Sequence, residues 1–377
     1  MILGLNFIKA MQGFIKFRST PDSKRRIIFY SENENYFQFL EGPIRSALEI
    51  SNLKIAFISS SNKDPGLQLA HKNLKCFYIG SGFVRDTFFR YLESCTIFMT
   101  MPDIGQSRIK VSDKKVTYAF LQHSMCSLHM IYKKNAFDNF DILFCSGPHQ
   151  YSEARMLEKY NNSNAKKLVK LGYSKIDRMT NKHLSMGDNE KQVTRNILIA
   201  PSWGKSNLLD YIDINILVTK LISKGFKVTL KPHPEDLKYR KNLLDKVRKK
   251  FLTEDAFTYS INSDNFLLLR NNGILITDWS GISIEYAFTF KRPVIFADTP
   301  KKINNNEFDK LPLKPIEDSI REEIGLIWYT YCDISVILEK IKKFDSSKIE
   351  QSIEKHLYNF KQSDLAFQRF LNSIQYK

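Results

Sequence analysis

Two histidines and three strand-end motifs hold the chemistry that this 377-residue sequence could perform. In "ILITDWSGISIEYAF", residues 274–288, an apolar strand runs into Thr277, Asp278, Trp279, Ser280 and Gly281, then resumes with helical spacing around Glu285. Ser280 and Gly281 fall where that helix would begin, so its free N–H groups and the positive end of its dipole favour a phosphate. Gly281 permits close backbone approach, Ser280 can cap or donate, and Glu285, about one turn on, can accept from ribose hydroxyls. Ordinary helix capping by Asp278 and Ser280 is the competing reading.

"LKPHPED" places His233 between Pro232 and Pro234, beside Lys231. Prolines stiffen a strand end, so an imidazole held there can donate to a pyrophosphate oxygen with the lysine as a further cation. "LIAPSWG" ends a third strand in Ser202, Trp203 and Gly204, followed by Lys205. Upstream, "AFLQHSMCSLH" puts His123 just after a strand, where an imidazole can take a proton from an attacking hydroxyl near neutral pH. His123, Cys126 and His129 are too few ligands for a metal centre, and no metal or cofactor is expected.

Positioning these residues requires strands that end on one side of a sheet. From residue 27 onward, short apolar runs such as "RIIFYSE", "KIAFISSS", "VTYAFLQHS" and "FDILFCSGPHQ" alternate with helical spacing. A second such series runs from "NILIAPSWG" through "FKVTLKPHPE" and "NGILITDWSG" to "RPVIFAD". Alternating strand and helix predicts an α/β fold with parallel sheets, whose ligands bind beyond the carboxyl ends of the strands. The polar, aperiodic stretch Asn181–Arg195 marks the boundary between two domains. The expected organisation is an amphipathic segment 1–24, a first Rossmann-like domain 25–185, a second 190–345, and a helical tail 346–377 that reaches back to the first.

Composition narrows the partners. An apolar fraction of 43% with 28 Phe and 17 Tyr describes a folded chain, and five scattered cysteines give neither a disulfide framework nor a zinc pattern. A reducing, cytoplasmic setting is expected. The net charge of +17 favours anionic partners. The basic residues are mostly lysines dispersed over helices, without a nucleic-acid-binding signature, so no nucleic acid is expected and non-enzymatic nucleic-acid binding is a remote alternative. Leu3, Phe7, Met11, Phe14 and Ile15, with Lys9, Lys16 and Arg18, fit either a helix lying on a membrane surface or one packed on its own domain. No spanning helix is expected, because Lys9 and Lys16 interrupt the apolar content.

"LQHS", "LKLGYSKID", "ILIAPSWG", "LKPHPED" and "ILITDWSGISIEYAFTFKRPVIFAD", in that order over roughly residues 27–345, resemble the CDP-glycerol glycerophosphotransferase family of teichoic-acid and capsule-type polymer synthesis. The resemblance implies two facing Rossmann-like domains of the B-type glycosyltransferase fold. It implies that His123 stands in the place of an acceptor-activating histidine and His233 in that of a histidine contacting the donor diphosphate. Ser280 and Gly281 match a Ser-Ser pair that binds phosphate, and Glu285 an acidic residue at the nucleotide. Gln122 and Ser124 flank His123 where the family usually has Trp and Gly. Ser202, Trp203 and Gly204 replace Thr-Trp-Arg, leaving Lys205 as the nearby cation. The expected reaction moves glycerol phosphate, or a related alditol phosphate, from a CDP-linked donor to a hydroxyl of a lipid-linked surface glycan, releasing CMP at the inner face of an anionic membrane. A sugar-nucleotide glycosyltransferase on the same fold is the alternative.

Overall fold

The structure, a computed structural model, describes residues 2–106, 109–187, 190–204, 206–261 and 265–374. The chain divides into two compact units: unit 1 comprises residues 1–178, 305–313 and 356–377, and unit 2 residues 179–304 and 314–355.

Unit 1 is built on a seven-stranded parallel sheet in the order β3-β2-β1-β4-β5-β6-β7. Its strands are β1 (Ile27–Ser31), β2 (Ile55–Ser59), β3 (Leu74–Tyr78), β4 (Cys95–Met99), β5 (Val116–Phe120), β6 (Ile142–Cys145) and β7 (Lys167–Lys170). Every residue of β1, β2 and β4 is buried, which explains their continuous apolar sequences: helices cover both faces of the sheet. Phenylalanines fill one face, with Phe29 stacked on Phe98 at 5.0 Å and Phe144 edge-on to Phe370 at 4.8 Å.

The first helix, Ile2–Arg18, packs against β3 and the Phe83–Arg90 helix, with Ala10 and Phe17 buried and Met11 and Phe14 partly so. Gly13 allows this closeness, since a Cβ there would lie 1.9 Å from the carbonyl oxygen of Tyr78. Phe7 and Ile15, expected on the same apolar face as Met11 and Phe14, are instead exposed together with Leu5 and Ile8. The helix thus packs along one side and leaves a second apolar strip outward.

Unit 2 carries a six-stranded parallel sheet in the order β10-β9-β8-β11-β12-β13. The strands are β8 (Asn196–Ile199), β9 (Lys227–Leu230), β10 (Phe257–Tyr259), β11 (Ile274–Thr277), β12 (Val294–Ala297) and β13 (Gly325–Trp328). The order runs one way through β8, β9 and β10 and the other way from β11, so the switch point lies between β8 and β11.

The division differs from the expected boundaries in three places. The Asn181–Arg195 stretch is not a simple linker: residues 181–185 continue the Ser174–Ser185 helix, and the division falls within that helix at 178/179. Residues 305–313 belong to unit 1, where Asn305 Nδ2 donates to the His129 carbonyl at 2.9 Å and Glu307 pairs with Lys134 at 2.8 Å. The tail is two helices, Ser347–His356 and Ser363–Ser373. Left-handed residues Asn359 and Lys361 separate them. The second helix returns to unit 1 as expected, where Ser46 Oγ donates to the Asp364 carbonyl at 2.5 Å and Phe367 and Phe370 join the phenylalanine cluster.

Candidate functional site

In unit 2 the segments after β8 and β11 meet at the switch point of the sheet, the position where open α/β sheets bind ligands. Asp278 is buried there and accepts three hydrogen bonds, from Ser202 N at 2.7 Å, Ser202 Oγ at 3.0 Å and Leu208 N at 2.8 Å. Asn207 Nδ2 donates to the Ser202 carbonyl at 2.7 Å, and Arg240 Nη2 donates to the Gly204 carbonyl at 2.9 Å. Asp278 and Ser202, expected at the nucleotide, are therefore bonded to each other. They tie the loop after β8 to the end of β11. The loop so fixed presents Trp203, which is 43% exposed. Lys205 lies outside the described residues.

His233 follows β9, and its Nδ1 accepts from Glu235 N at 3.2 Å. In the neutral ring the proton then sits on Nε2, making that atom a donor. Burial, with Lys302 and then Lys231 nearby, holds its pKa down to about 4. The His233 ring lies 6.1 Å from the Trp203 ring, and Lys302 Nζ lies 4.0 Å from the centre of that indole. Ser280 and Gly281 stand at the start of the Ile282–Phe290 helix, where the Ser280 carbonyl accepts from Ser283 N at 3.1 Å and Gly281 provides no side-chain cap. Glu285 is buried within the first turn of the same helix.

Unit 2 also contains groups that the sequence reading did not single out. Arg321 is buried with its Cζ 4.2 Å from the Trp279 ring centre and donates to the Ala297 carbonyl at 2.9 Å. Burial lowers its pKa, opposed by Asp298 and Asp278. Trp279 Nε1 in turn donates to the Thr299 carbonyl at 2.8 Å. Arg321 comes from a helix of ordinary amphipathic pattern, which gave no signal. Lys302 could have been noticed as a cation shortly after the strand "VIFA".

His123 follows β5 in unit 1, with the opposite ring polarity. Its Nδ1–H donates to the Thr100 carbonyl at 2.9 Å, leaving the lone pair on Nε2, where it accepts a long hydrogen bond from Tyr132 Oη at 3.4 Å that an acceptor hydroxyl would replace. Tyr36, Phe39, Phe120 and Tyr132 surround the ring at 5.7 to 6.2 Å. Burial is the main reason that its pKa is held down to about 4, the Thr100 carbonyl opposing and Lys175 adding to the shift. The loop carrying His123 is fastened to the Pro148–Tyr160 helix: His149 Nε2 bonds to the Met125 carbonyl at 2.8 Å, and Gln150 Nε2 to the Ser124 and Cys126 carbonyls at 3.1 and 3.0 Å. None of these clamps was legible in the motif itself. Among the described residues no group of three His, Cys, Asp or Glu side chains is placed to hold a metal ion.

Solved structures share this architecture. The wall teichoic acid polymerase TagF matches over 100% of this chain and 97% of its own, with a TM-score of 0.59 at 13% identity. A variant of that polymerase soaked with CDPG matches over 99% and 94%, with a TM-score of 0.55 at 11% identity. Anabaena HepE in complex with UDP and glucose matches over 93% and 100%, with a TM-score of 0.52 at 10% identity. At these identities the likeness establishes the fold, that of the B-type glycosyltransferases. Among curated proteins nothing matches. A family profile matches residues 110–304, just over half of the chain and the part that contains both histidines and all three strand-end motifs. On that match, the chain belongs to the CDP-glycerol:poly(glycerophosphate) glycerophosphotransferase family.

Proposed function

We propose that this transferase moves glycerol phosphate, or a related alditol phosphate, from a CDP-linked donor to a hydroxyl of a lipid-linked surface glycan. The acceptor oxygen attacks the phosphorus that bears the glycerol, and His123 Nε2 takes the hydroxyl proton. The bond from that phosphorus to the bridging oxygen breaks, and CMP leaves with the electron pair. His233 Nε2–H, Lys231 and the N–H groups around Ser280 and Gly281 stabilise the charge that develops on the diphosphate. Glu285 faces the nucleoside end of the same donor, and Trp203 borders the diphosphate.

The observation that carries this reading is the opposite polarity of the two imidazoles: His123 offers a lone pair, and His233 offers a proton. A base and an anion donor are the two functions that phosphoryl transfer to a hydroxyl requires. The strip of Leu5, Phe7, Ile8 and Ile15 on the first helix, with a net charge of +17, supports docking at the anionic inner face of the membrane, where a lipid-linked acceptor would lie. No helix among the described residues is long and apolar enough to cross a membrane.

The test is to incubate the protein with CDP-glycerol and a lipid-linked glycan acceptor, and to identify the nucleotide released. CMP formed with matching transfer of glycerol phosphate supports the reading. Activity only with a sugar nucleotide and release of a nucleoside diphosphate would replace it with glycosyl transfer.

A further inference from the structure

Three strand ends of unit 2 converge on one small group of side chains. Trp203 comes from the loop after β8, His233 and Lys231 from the end of β9, and Lys302 from the segment after β12. Lys302 Nζ lies 4.0 Å from the indole centre, while the imidazole is 6.1 Å away from the same ring and inclined to it by 33°. The neighbouring Lys301 has a different engagement, an ion pair with Asp318 at 2.6 Å. Lys302 and Lys231 both lie near enough to His233 to disfavour its protonation, so positive charge is concentrated around a ring whose Nε2 is a donor.

We propose that Lys302, seated on the face of Trp203, is a phosphate-binding residue of the donor diphosphate site, and that this indole face holds the lysine rather than a nucleobase. An ammonium over an indole face is attracted by the ring quadrupole and loses part of its motional freedom before ligand arrives. Asp278 and Arg240 hold the backbone on either side of Trp203, through Ser202 N and the Gly204 carbonyl. The ligand class is a nucleoside diphosphate or its ester, with Lys302 addressing the phosphate farther from the nucleoside. This assignment rests on the reading of unit 2 as the donor-binding unit, but does not depend on which base the donor carries.

The experiment measures the affinity of the full-length protein for CDP, CMP, UDP and UMP by calorimetry, in wild type, Lys302→Met, Lys302→Arg, Trp203→Leu and the double variant Lys302→Met/Trp203→Leu. Melting curves of each variant confirm folding. With whichever diphosphate the wild type binds, Lys302→Met is expected to weaken binding by about 10- to 100-fold. Its effect on the corresponding monophosphate should be much smaller, and Lys302→Arg should restore part of the loss. Trp203→Leu should weaken diphosphate binding in the same direction, with little further loss in the double variant, because both changes remove one seated cation. Equal losses for diphosphate and monophosphate, unchanged binding by Lys302→Met, or additive losses in the double variant would overturn the assignment. Binding of UDP but not CDP would contradict the CDP-linked donor while leaving the lysine assignment to be judged by its own comparison. Failure of the wild type to bind any of the four would overturn both.

Discussion

His123 and His233 differ in which ring nitrogen is occupied by the protein, and this sets what each can be replaced by. His123 gives its Nδ1 proton to the Thr100 carbonyl, whereas His233 receives the Glu235 N–H at Nδ1. A glutamine can place an N–H donor near the position of an imidazole Nε2 but has no basic lone pair there. His233→Gln is therefore expected to retain more donor affinity than His233→Ala. His123→Gln should be as defective in turnover as His123→Ala, each losing about 10²- to 10⁴-fold in kcat with donor affinity little changed. Donor titration and single-turnover rates on the four variants separate these outcomes. The same histidines make folding sensitive to acid. Both pKa values are held down to about 4 against an ordinary 6.5, so between those values the unfolded chain binds protons that the folded chain does not. Their contribution is intact above about pH 6.5 and is lost as the pH falls towards 4. His123→Phe keeps a ring within the aromatic cage and removes the titration, so its melting temperature should fall less than that of wild type between about pH 7 and pH 5.

At the level of elements, the pairing of the β8 loop with the end of β11 carries most of the site. Asp278→Ala would leave Ser202 N, Ser202 Oγ and Leu208 N without their shared acceptor. A loss of about 3 kcal/mol in unfolding free energy is expected, read by urea denaturation, together with weaker donor binding as Trp203 and Gly204 lose their support. The strands themselves were legible because β1, β2 and β4 are buried on both faces and must read as unbroken apolar runs. The strand-end motifs were legible for a related reason: Ser, Gly, Pro, Asp and His interrupt such runs only where something other than packing is served. What could not be read was partnership. That Asp278 spends its oxygens on Ser202 and Leu208 follows from β8 and β11 being adjacent, and strand order leaves no mark on local sequence. Lys302 reaches Trp203 for the same reason, across 99 positions of chain. The break in the tail was hidden because Asn359 and Lys361, rather than Gly, take the left-handed positions.

At the scale of the whole molecule, the proposed docking at an anionic membrane would draw on positive charge and the outward strip of the first helix together. With about 1 kcal/mol per basic residue near an anionic leaflet, charge alone can hold the protein at the surface, and the apolar side chains add insertion. Wild-type protein is expected to float with vesicles containing anionic lipid and to be released by salt. Ile8→Glu/Ile15→Glu should abolish most flotation without lowering the melting temperature, since both side chains are exposed. Flotation unchanged by these substitutions would remove the helix from the docking surface.

The chain passes from one unit to the other at 178/179, 304/305, 313/314 and 355/356. This threading has a consequence for synthesis on the ribosome. Most of unit 1 emerges before unit 2, yet the faces of Phe29, Phe98 and Phe144 remain without Phe367 and Phe370 until those residues have been translated. Unit 2 holds all of its own residues by position 355 and can mature first. Between the synthesis of β7 and that of Phe370 the nascent protein therefore carries an unfinished, phenylalanine-rich sheet, and a stop just before Phe367 is expected to give an aggregation-prone product rather than a smaller working enzyme.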